Sequence, residues 1–249
     1  MKTHLKKLLE KIDKSHPFIG ALVRRIYFRK GLNSVRRVIH GKNNRINCTT
    51  AILSSVVFNV NGDGNAIEIN DGCVLNNVTF HIRGNNHRVL IGRSCIFSSG
   101  GVIVMEDSDC SLIIGEKSTF DYVQLAITEP GSRLTIGRDC MFAYDIDVRT
   151  GDSHSIISQS SNERINYAKD IFIGDHVWVA AHSILLKGSS ISENSVVATG
   201  SVVTKAFEKK GIVIGGNPST QIKEGITWSR KRIYKTGQPG STEKISHDQ

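Results

Sequence analysis

The sequence lacks the features that mark membrane-spanning, secreted or disulfide-stabilised proteins. It has no run of about eighteen apolar residues, so no helix that spans a bilayer is expected. Charged side chains interrupt the apolar residues near the N-terminus, so no secretory signal peptide is expected. The five cysteines are odd in number and have no CxxC spacing, which argues against a disulfide framework and a zinc site. We therefore expect reduced thiols, no bound metal and a cytoplasmic protein.

Acidic side chains are scarce at the N-terminus. Residues 1–45 contain 13 lysines and arginines but only Glu10 and Asp13, whereas residues 46–220 contain 13 basic and 18 acidic side chains. The net charge of +9 therefore comes from the two ends of the chain. Because the central part is mildly acidic, it offers no positive groove for nucleic acid, and no such partner is expected.

The N-terminal stretch also has apolar residues at helical spacing. These are Leu5, Leu8, Leu9 and Ile12, with lysines on the other side. The pattern predicts a basic amphipathic helical segment over residues 1–45. Two roles are open: it covers the exposed end of a stacked-repeat fold, or residues 1–40 contact an anionic membrane at its inner face. Residues 221–249 form a basic tail that is predicted to be partly disordered.

The centre of the chain follows neither the helical period nor the strand period. Aliphatic residues recur at every sixth position from Ile173 to Val203, and a small or β-branched residue follows four places after each of the first five. The aliphatic positions are Ile173, Val179, Leu185, Ile191, Val197 and Val203, and the second set is Val177, Ser183, Ser189, Ser195 and Ser201. A period of six is typical of parallel β-helices. It predicts an all-β domain of hexapeptide repeats over residues 46–220.

The repeat is looser in the first part of this domain. Residues 65–69, 87–91, 111–114 and 132–136 echo one another at spacings of about 22 residues, each after a corner rich in Gly, Asn or Asp. A regular coil of three hexads needs about 18 residues, so we expect the same cross-section with one enlarged corner. Cys73, Cys95 and Cys140 take the small inward position of successive repeats, where a thiol acts as a compact apolar filler.

The rhythm stops between Val148 and Ile173. The intervening residues are polar and include His154. An irregular segment on a rigid scaffold is where functional groups tend to lie. The chemistry is therefore expected first in this segment.

Residues 173–182, residues 200–205 and the turn Gly216-Asn217-Pro218 resemble the hexapeptide-repeat acyltransferases. The similarity is greatest to the galactoside, maltose and Nod-factor O-acetyltransferases, and it extends to the polysaccharide O-acetyltransferases. It is tight over residues 136–223 and loose over 46–135. The resemblance implies a left-handed β-helix, a homotrimer with active sites between subunits, and acetyl-CoA as the acetyl donor.

The resemblance also implies roles for individual residues. His154 matches the general base, and a neutral imidazole can accept the proton of an acceptor hydroxyl. The predicted substrate-binding residues are Asp121, Asp145, Asp147 and Trp178. The predicted donor-binding residues are Ala180, Ala181, Thr199, Thr204, Lys205 and Lys223. His182 is the alternative base; otherwise His176 and His182 are expected to be surface residues.

The predicted function is acetyl-CoA-dependent O-acetylation of a carbohydrate hydroxyl, in a capsular polysaccharide, a lipopolysaccharide or an oligosaccharide. Two other enzyme functions stay open, N-acetylation of a nucleotide-linked amino sugar and acetylation of serine. A γ-class carbonic anhydrase and a non-enzymatic β-helical scaffold are the remaining alternatives. The sequence does not decide the acceptor, because loops and the partner chain would define it.

Overall fold

Residues 34–234, the part of the chain that the computed structural model describes, form a parallel β-solenoid with three faces. The first face contains β3 (Ile52–Ser54), β6 (Val74–Asn76), β13 (Met141–Phe142), β16 (Trp178–Val179), β19 (Val196–Val197) and β22 (Ile212–Gly216). The second face contains β1 (Arg36–His40), β4 (Val57–Asn61), β7 (Val78–Arg83), β14 (Ile146–Arg149), β17 (Ile184–Leu186) and β20 (Val202–Val203). The third face contains β2 (Arg45–Asn47), β5 (Ala66–Ile69), β8 (Arg88–Ile91), β10 (Ser111–Ile114), β12 (Arg133–Ile136), β15 (Ile171–Ile173), β18 (Ser190–Ile191) and β21 (Ala206–Phe207).

Three further strands complete the coil. The long strands β9 (Ile96–Met105) and β11 (Thr119–Ile127) bend around a corner, so that each pairs on both the first and the second face. At the C-terminal end, β23 (Ser219–Glu224) pairs antiparallel with β22. Among the described residues there is no helix that could cross a lipid bilayer.

The aliphatic positions of the six-residue repeat point inward, as predicted. In-register pairs join Val179 with Val197 on the first face, Leu185 with Val203 on the second, and Ile173 with Ile191 on the third. All six side chains are fully buried. Strands of one face pair in parallel from coil to coil, so the backbone groups of each strand find partners in the coils above and below. The predicted all-β parallel β-helix is confirmed, and its left-handed winding stays a prediction.

The coils before residue 150 are wider than those after residue 170. Between the second and third faces, Ile103 and Ile114 are eleven positions apart, whereas Leu185 and Ile191 are six apart. The additional buried residues are Ile82, Met105 and Ile127 on the second face and His87, Cys110 and Ser132 at the corner before the third. The enlarged corner is therefore confirmed. The constant cross-section is wrong, because the second face is longer and buries one more side chain per coil, and the corner after it buries another.

The predicted small inward cysteines are also confirmed. Cys73, Cys95 and Cys140 are fully buried, and each thiol donates a hydrogen bond to a glycine carbonyl of the next coil. The acceptors are Gly92, Gly115 and Gly174, at 2.9, 3.1 and 3.2 Å. Burial raises the pKa of the Cys140 thiol to about 11, so this group stays protonated near neutral pH. All five cysteines are free thiols, as predicted.

The predicted helical segment is wrong where the structure describes it. Residues 36–40 form β1, which pairs in parallel with β4, and residues 45–47 form β2. The unpaired backbone edge of β4 explains this outcome, because pairing with it satisfies backbone groups that a helix would leave exposed. Residues 1–33, with their predicted capping and membrane roles, and residues 235–249 lie outside the described residues.

A ladder of three phenylalanines from successive coils packs ring against ring inside the first face, and Phe120 lies at its centre. Its ring is 4.4 Å from that of Phe97 and 4.9 Å from that of Phe142, and its side chain is 1% exposed. We expect Phe120→Ala to lower the free energy of unfolding by about 3–5 kcal/mol, because it leaves a cavity between two rings. Denaturant titration followed by circular dichroism measures the change. Ile113→Ala, at a 43% exposed position, is the control and should cost less than about 1 kcal/mol; equal losses in the two variants would contradict the role of the ladder.

Candidate functional site

The interrupted segment leaves the solenoid after β14 and returns at β15, where the wide coils give way to the narrow ones. Asn166 holds this segment together from a buried position, at 7% exposure. Its Oδ1 accepts hydrogen bonds from the backbone N–H of Ile156 at 2.7 Å and from Arg164 Nε at 3.1 Å. Its Nδ2 donates to the carbonyl oxygen of His154 at 2.8 Å and to Asp152 Oδ2 at 2.7 Å. One amide therefore fastens the outgoing and returning limbs of the segment to each other.

Ion pairs attach the same segment to the solenoid. Lys187 Nζ, in the first narrow coil, donates to Asp152 Oδ2 at 2.5 Å and to the carbonyl of Asn166 at 2.8 Å. The hydrogen bond from Lys187, followed by that from Asn166, holds the pKa of Asp152 below its usual range. Arg164 forms an ion pair with Glu129 of the last wide coil. The segment is thus tied to the coils on both sides of it.

His154 lies at the exposed outer part of this segment. Its backbone is fixed by Asn166, while its imidazole ring makes no hydrogen bond within residues 34–234. Asp145, Asp147 and Asp152 are close in sequence, but each carboxylate bonds to another side chain. A fixed backbone and an available ring suit a residue that takes a proton from a bound molecule.

An open cleft of about 770 Å³ lies beside this segment, against the last wide coil. Glu129, Arg164, Tyr167 and Lys169 contribute to its lining. The guanidinium of Arg164 lies 5.0 Å from the centre of the Tyr167 ring, which is 59% exposed. Arg164 is paired with Glu129, so Lys169 is the cation that, beside an exposed aromatic ring, can bind a sugar carrying a carboxylate.

A second histidine lies at the corner between the first and second faces. His182 Nδ1 is 2.9 Å from Asp145 Oδ2, and both side chains are more than half exposed. Because an ionised carboxylate only accepts hydrogen bonds, Nδ1 carries the hydrogen and Nε2 of the neutral ring can accept a proton. Asp121 lies along the same corner two coils earlier and accepts a hydrogen bond from Ser98 Oγ at 3.1 Å. Two predicted substrate-binding carboxylates therefore share an edge with the alternative base.

The other predicted site residues lie on several sides of the coil. Asp147 points out from the second face and pairs with Arg149 Nε at 2.7 Å, while its Oδ1 is buried without a partner among the described residues.

Trp178 lies on the first face. Ala180, Ala181 and Thr199 follow at the corner that carries His182, Thr204 and Lys205 are exposed after β20, and Lys223 is exposed on β23. His154 leaves the corner opposite the first face, so one chain does not bring it together with Trp178.

His176 is not the free surface residue that was predicted. It lies at an outward corner, but its side chain is only 27% exposed, because residues after β23 fold back over it. Its partners include Asp139, in the preceding coil, and Trp228. Sequence reasoning missed Asn166, Lys187 and Trp228, since none of them belongs to the six-residue pattern.

Within residues 34–234 no group of three or more His, Cys, Asp or Glu side chains is arranged to hold a metal ion.

Comparison with known proteins agrees with the fold and extends it. None of the protein-family models compared with the chain matches it. The polysialic acid O-acetyltransferase of Neisseria meningitidis is 36% identical over 197 residues, which make up 79% of this chain and 90% of that protein.

Two solved structures are similar over most of their length. That of the polysialic acid O-acetyltransferase OatWY gives a TM-score of 0.76 at 34% identity, covering 81% of this chain and 94% of that one. That of the polysialic-acid-specific acetyltransferase NeuO gives 0.74 at 32% identity, covering 80% and 90%. With its six-residue repeat, its solenoid and this level of identity, the chain belongs to the hexapeptide-repeat acyltransferase family, together with these polysialic acid O-acetyltransferases.

Proposed function

We propose that the protein transfers an acetyl group from acetyl-CoA to a hydroxyl group of a polysaccharide that contains sialic acid. The observation that carries the proposal is His154, whose backbone is fixed by a buried amide while its ring is available to a bound molecule. The acceptor class is supported by the relatives, which are polysialic acid O-acetyltransferases. The cleft with Lys169 and exposed Tyr167 suits the carboxylate and the ring of such a sugar.

In the proposed reaction, the neutral imidazole of His154 takes the proton of the acceptor hydroxyl as its oxygen attacks the thioester carbonyl. The carbon–sulfur bond then breaks, the acetyl group stays on the sugar oxygen, and the imidazolium returns the proton to the departing thiolate. Holding both substrates along a rigid wall supplies much of the remaining rate enhancement.

A homotrimer is part of the proposal. His154 and Trp178 lie on opposite sides of one coil, so a groove between two subunits would bring the base of one chain to the wall of the next. The small residues Ala180, Ala181 and Thr199 would line the path of the pantetheine arm. Lys205 and Lys223 would bind CoA phosphates by charge-assisted hydrogen bonds. A cytoplasmic location and contact of residues 1–40 with an anionic membrane belong to the same proposal.

The first test is the identity of the base. We expect His154→Ala to lower kcat at least about 100-fold, because general base catalysis contributes roughly 10²–10⁴-fold. Release of CoA thiol with oligosialic acid as acceptor measures the rate. His182→Ala is the matched variant and should retain most of the activity. If His154→Ala turned over normally while His182→Ala did not, the base would be His182 with Asp145 as its partner.

The second test concerns the amide that holds the catalytic segment. We expect Asn166→Ala to lower kcat by about 10–100-fold, because a displacement of the base by about 1 Å can cost a factor of 100. Faster amide exchange in peptides from residues 150–170 should accompany the loss. Gln159→Ala, an exposed position in the same segment, is the control. An unchanged kcat in Asn166→Ala would show that this network does not position His154.

A further inference from the structure

The chain does not end its ordered path at β23. Residues 226–230, here called the C-terminal strap, turn back along the corner between the third and first faces. The backbone N–H of Ile226 donates to the carbonyl of Gly211 at 2.9 Å. Two residues later, Trp228 Nε1 donates to the carbonyl of His176 at 2.7 Å. The strap then continues toward earlier coils, so it crosses the solenoid edge rather than covering its end.

Arg230 fastens the far end of the strap. Its Nε donates to Asp139 Oδ1 at 3.0 Å, one of its terminal nitrogens donates to Thr119 Oγ1 at 2.7 Å, and the other donates to the carbonyl of Cys140 at 2.9 Å. These partners belong to two coils that precede the one containing His176. A guanidinium with partners in fixed directions ties the strap in one orientation.

His176 is the centre of the contact. Its Nδ1 is 2.9 Å from Asp139 Oδ2, and its Nε2 is 3.0 Å from the carbonyl oxygen of Trp228. Both partners are hydrogen-bond acceptors, so the ring is held between the carboxylate of Asp139 and the backbone of the strap. Arg138 and Asp175, which pair with each other at 2.7 Å, lie at the same corner.

The His176 ring stacks on the indole of Trp228. The ring centres are 4.2 Å apart and the planes differ by 8°, so the two rings pack face to face. Trp228 is only 8% exposed. It is therefore held by the stacked His176 ring, by its own indole N–H and by its carbonyl oxygen.

The strap also contacts the proposed substrate groove. The ring of Trp228 is 6.1 Å from that of Trp178, at an angle of 49°. Trp178 lies on the two-residue strand β16 and is partly exposed. We propose that Trp228 is a positioning residue for the acetyl transfer: held by His176 and Arg230, it fixes the indole of Trp178 in the orientation that binds the acceptor. This inference rests on the proposed function, which places Trp178 in the groove.

Fluorescence tests the contact without reference to activity. The chain contains only two tryptophans, Trp178 and Trp228, so either variant leaves a single emitter. We expect the emission of Trp178 to shift to longer wavelength in Trp228→Ala, where water reaches the exposed side of the ring. Trp228→Phe keeps an aromatic neighbour and should restore the shorter wavelength. Identical spectra for the two variants would overturn the contact.

Kinetics test whether the contact serves the reaction. We expect Trp228→Ala to raise KM for oligosialic acid about tenfold with little change in kcat, the result of losing binding that is equal in ground and transition states. Trp228→Phe should recover most of the loss. Ser229→Ala, at an exposed position in the strap, is the control. A loss confined to kcat, or an unchanged KM, would overturn the proposal.

A double-mutant cycle separates positioning from general support. If Trp228 acts through Trp178, the variant lacking both indoles should have the same KM as Trp178→Ala alone. If the rise in KM of the double variant equalled the product of the two single fold-increases, the proposal would be overturned. Should Trp228→Ala fail to fold, Arg230→Met releases the strap while keeping both tryptophans and should give the same rise in KM; an unchanged KM there would equally overturn it.

Failure of the proposed acetyl transfer and failure of the positioning role of Trp228 give different experimental results. An unchanged KM in Trp178→Ala would remove that residue from the proposed groove and with it the kinetic role of Trp228, although His154→Ala would still test the acetyl transfer. If Trp178→Ala raised KM while Trp228→Ala left KM unchanged, only the role of the strap would be overturned.

Discussion

The structure depends on the in-register stacking of inward side chains from one coil to the next. Parallel pairing fixes each strand directly beside its equivalent in the neighbouring coil, so like residues meet like residues in the core. Phe97, Phe120 and Phe142 stack in this way, as do Val179 and Val197. Every other feature of the molecule, including the proposed site, is attached to this continuous column.

The change in coil width gives the catalytic segment its place. The wide coils end where the narrow ones begin. This step in width, here called the ledge, lies at the corner between the second and third faces. The segment with His154 lies there, tied to the last wide coil through Glu129 and to the first narrow coil through Lys187. A polar excursion of this length would be costly inside a regular coil, because its buried backbone groups would lack partners. On the ledge, Asn166 supplies several of those partners from a single side chain.

Much of the fold could be predicted from the sequence because the core obeys a period. The six-residue rhythm identified the inward positions, the small thiols and the place where the pattern stops. The helical assignment of residues 36–40 failed, because helical spacing describes a single segment and cannot foresee a strand edge that needs a partner. Asn166 and Trp228 were missed for a related reason, because only the folded chain brings their partners near them. Trp228 and His176 are 52 positions apart in the sequence, and no repeat relates the two positions. Periodicity predicts which residues are buried, but not which polar groups meet.

The backbone conformation at the corners determines which kinds of side chain line the edges of the solenoid. Asp139, Asp145, His176 and His182 all have positive φ, as do many other corner residues, which are chiefly glycine or one of Asn, Asp, Ser and His. A left-handed backbone at each corner turns the side chain outward and disfavours β-branched residues, so each edge becomes a column of small, hydrogen-bonding groups at regular spacing. Exchange of one such residue for another leaves the column of the core untouched. New acid, base or binding chemistry can therefore arise along an edge by single substitutions, while the architecture stays the same.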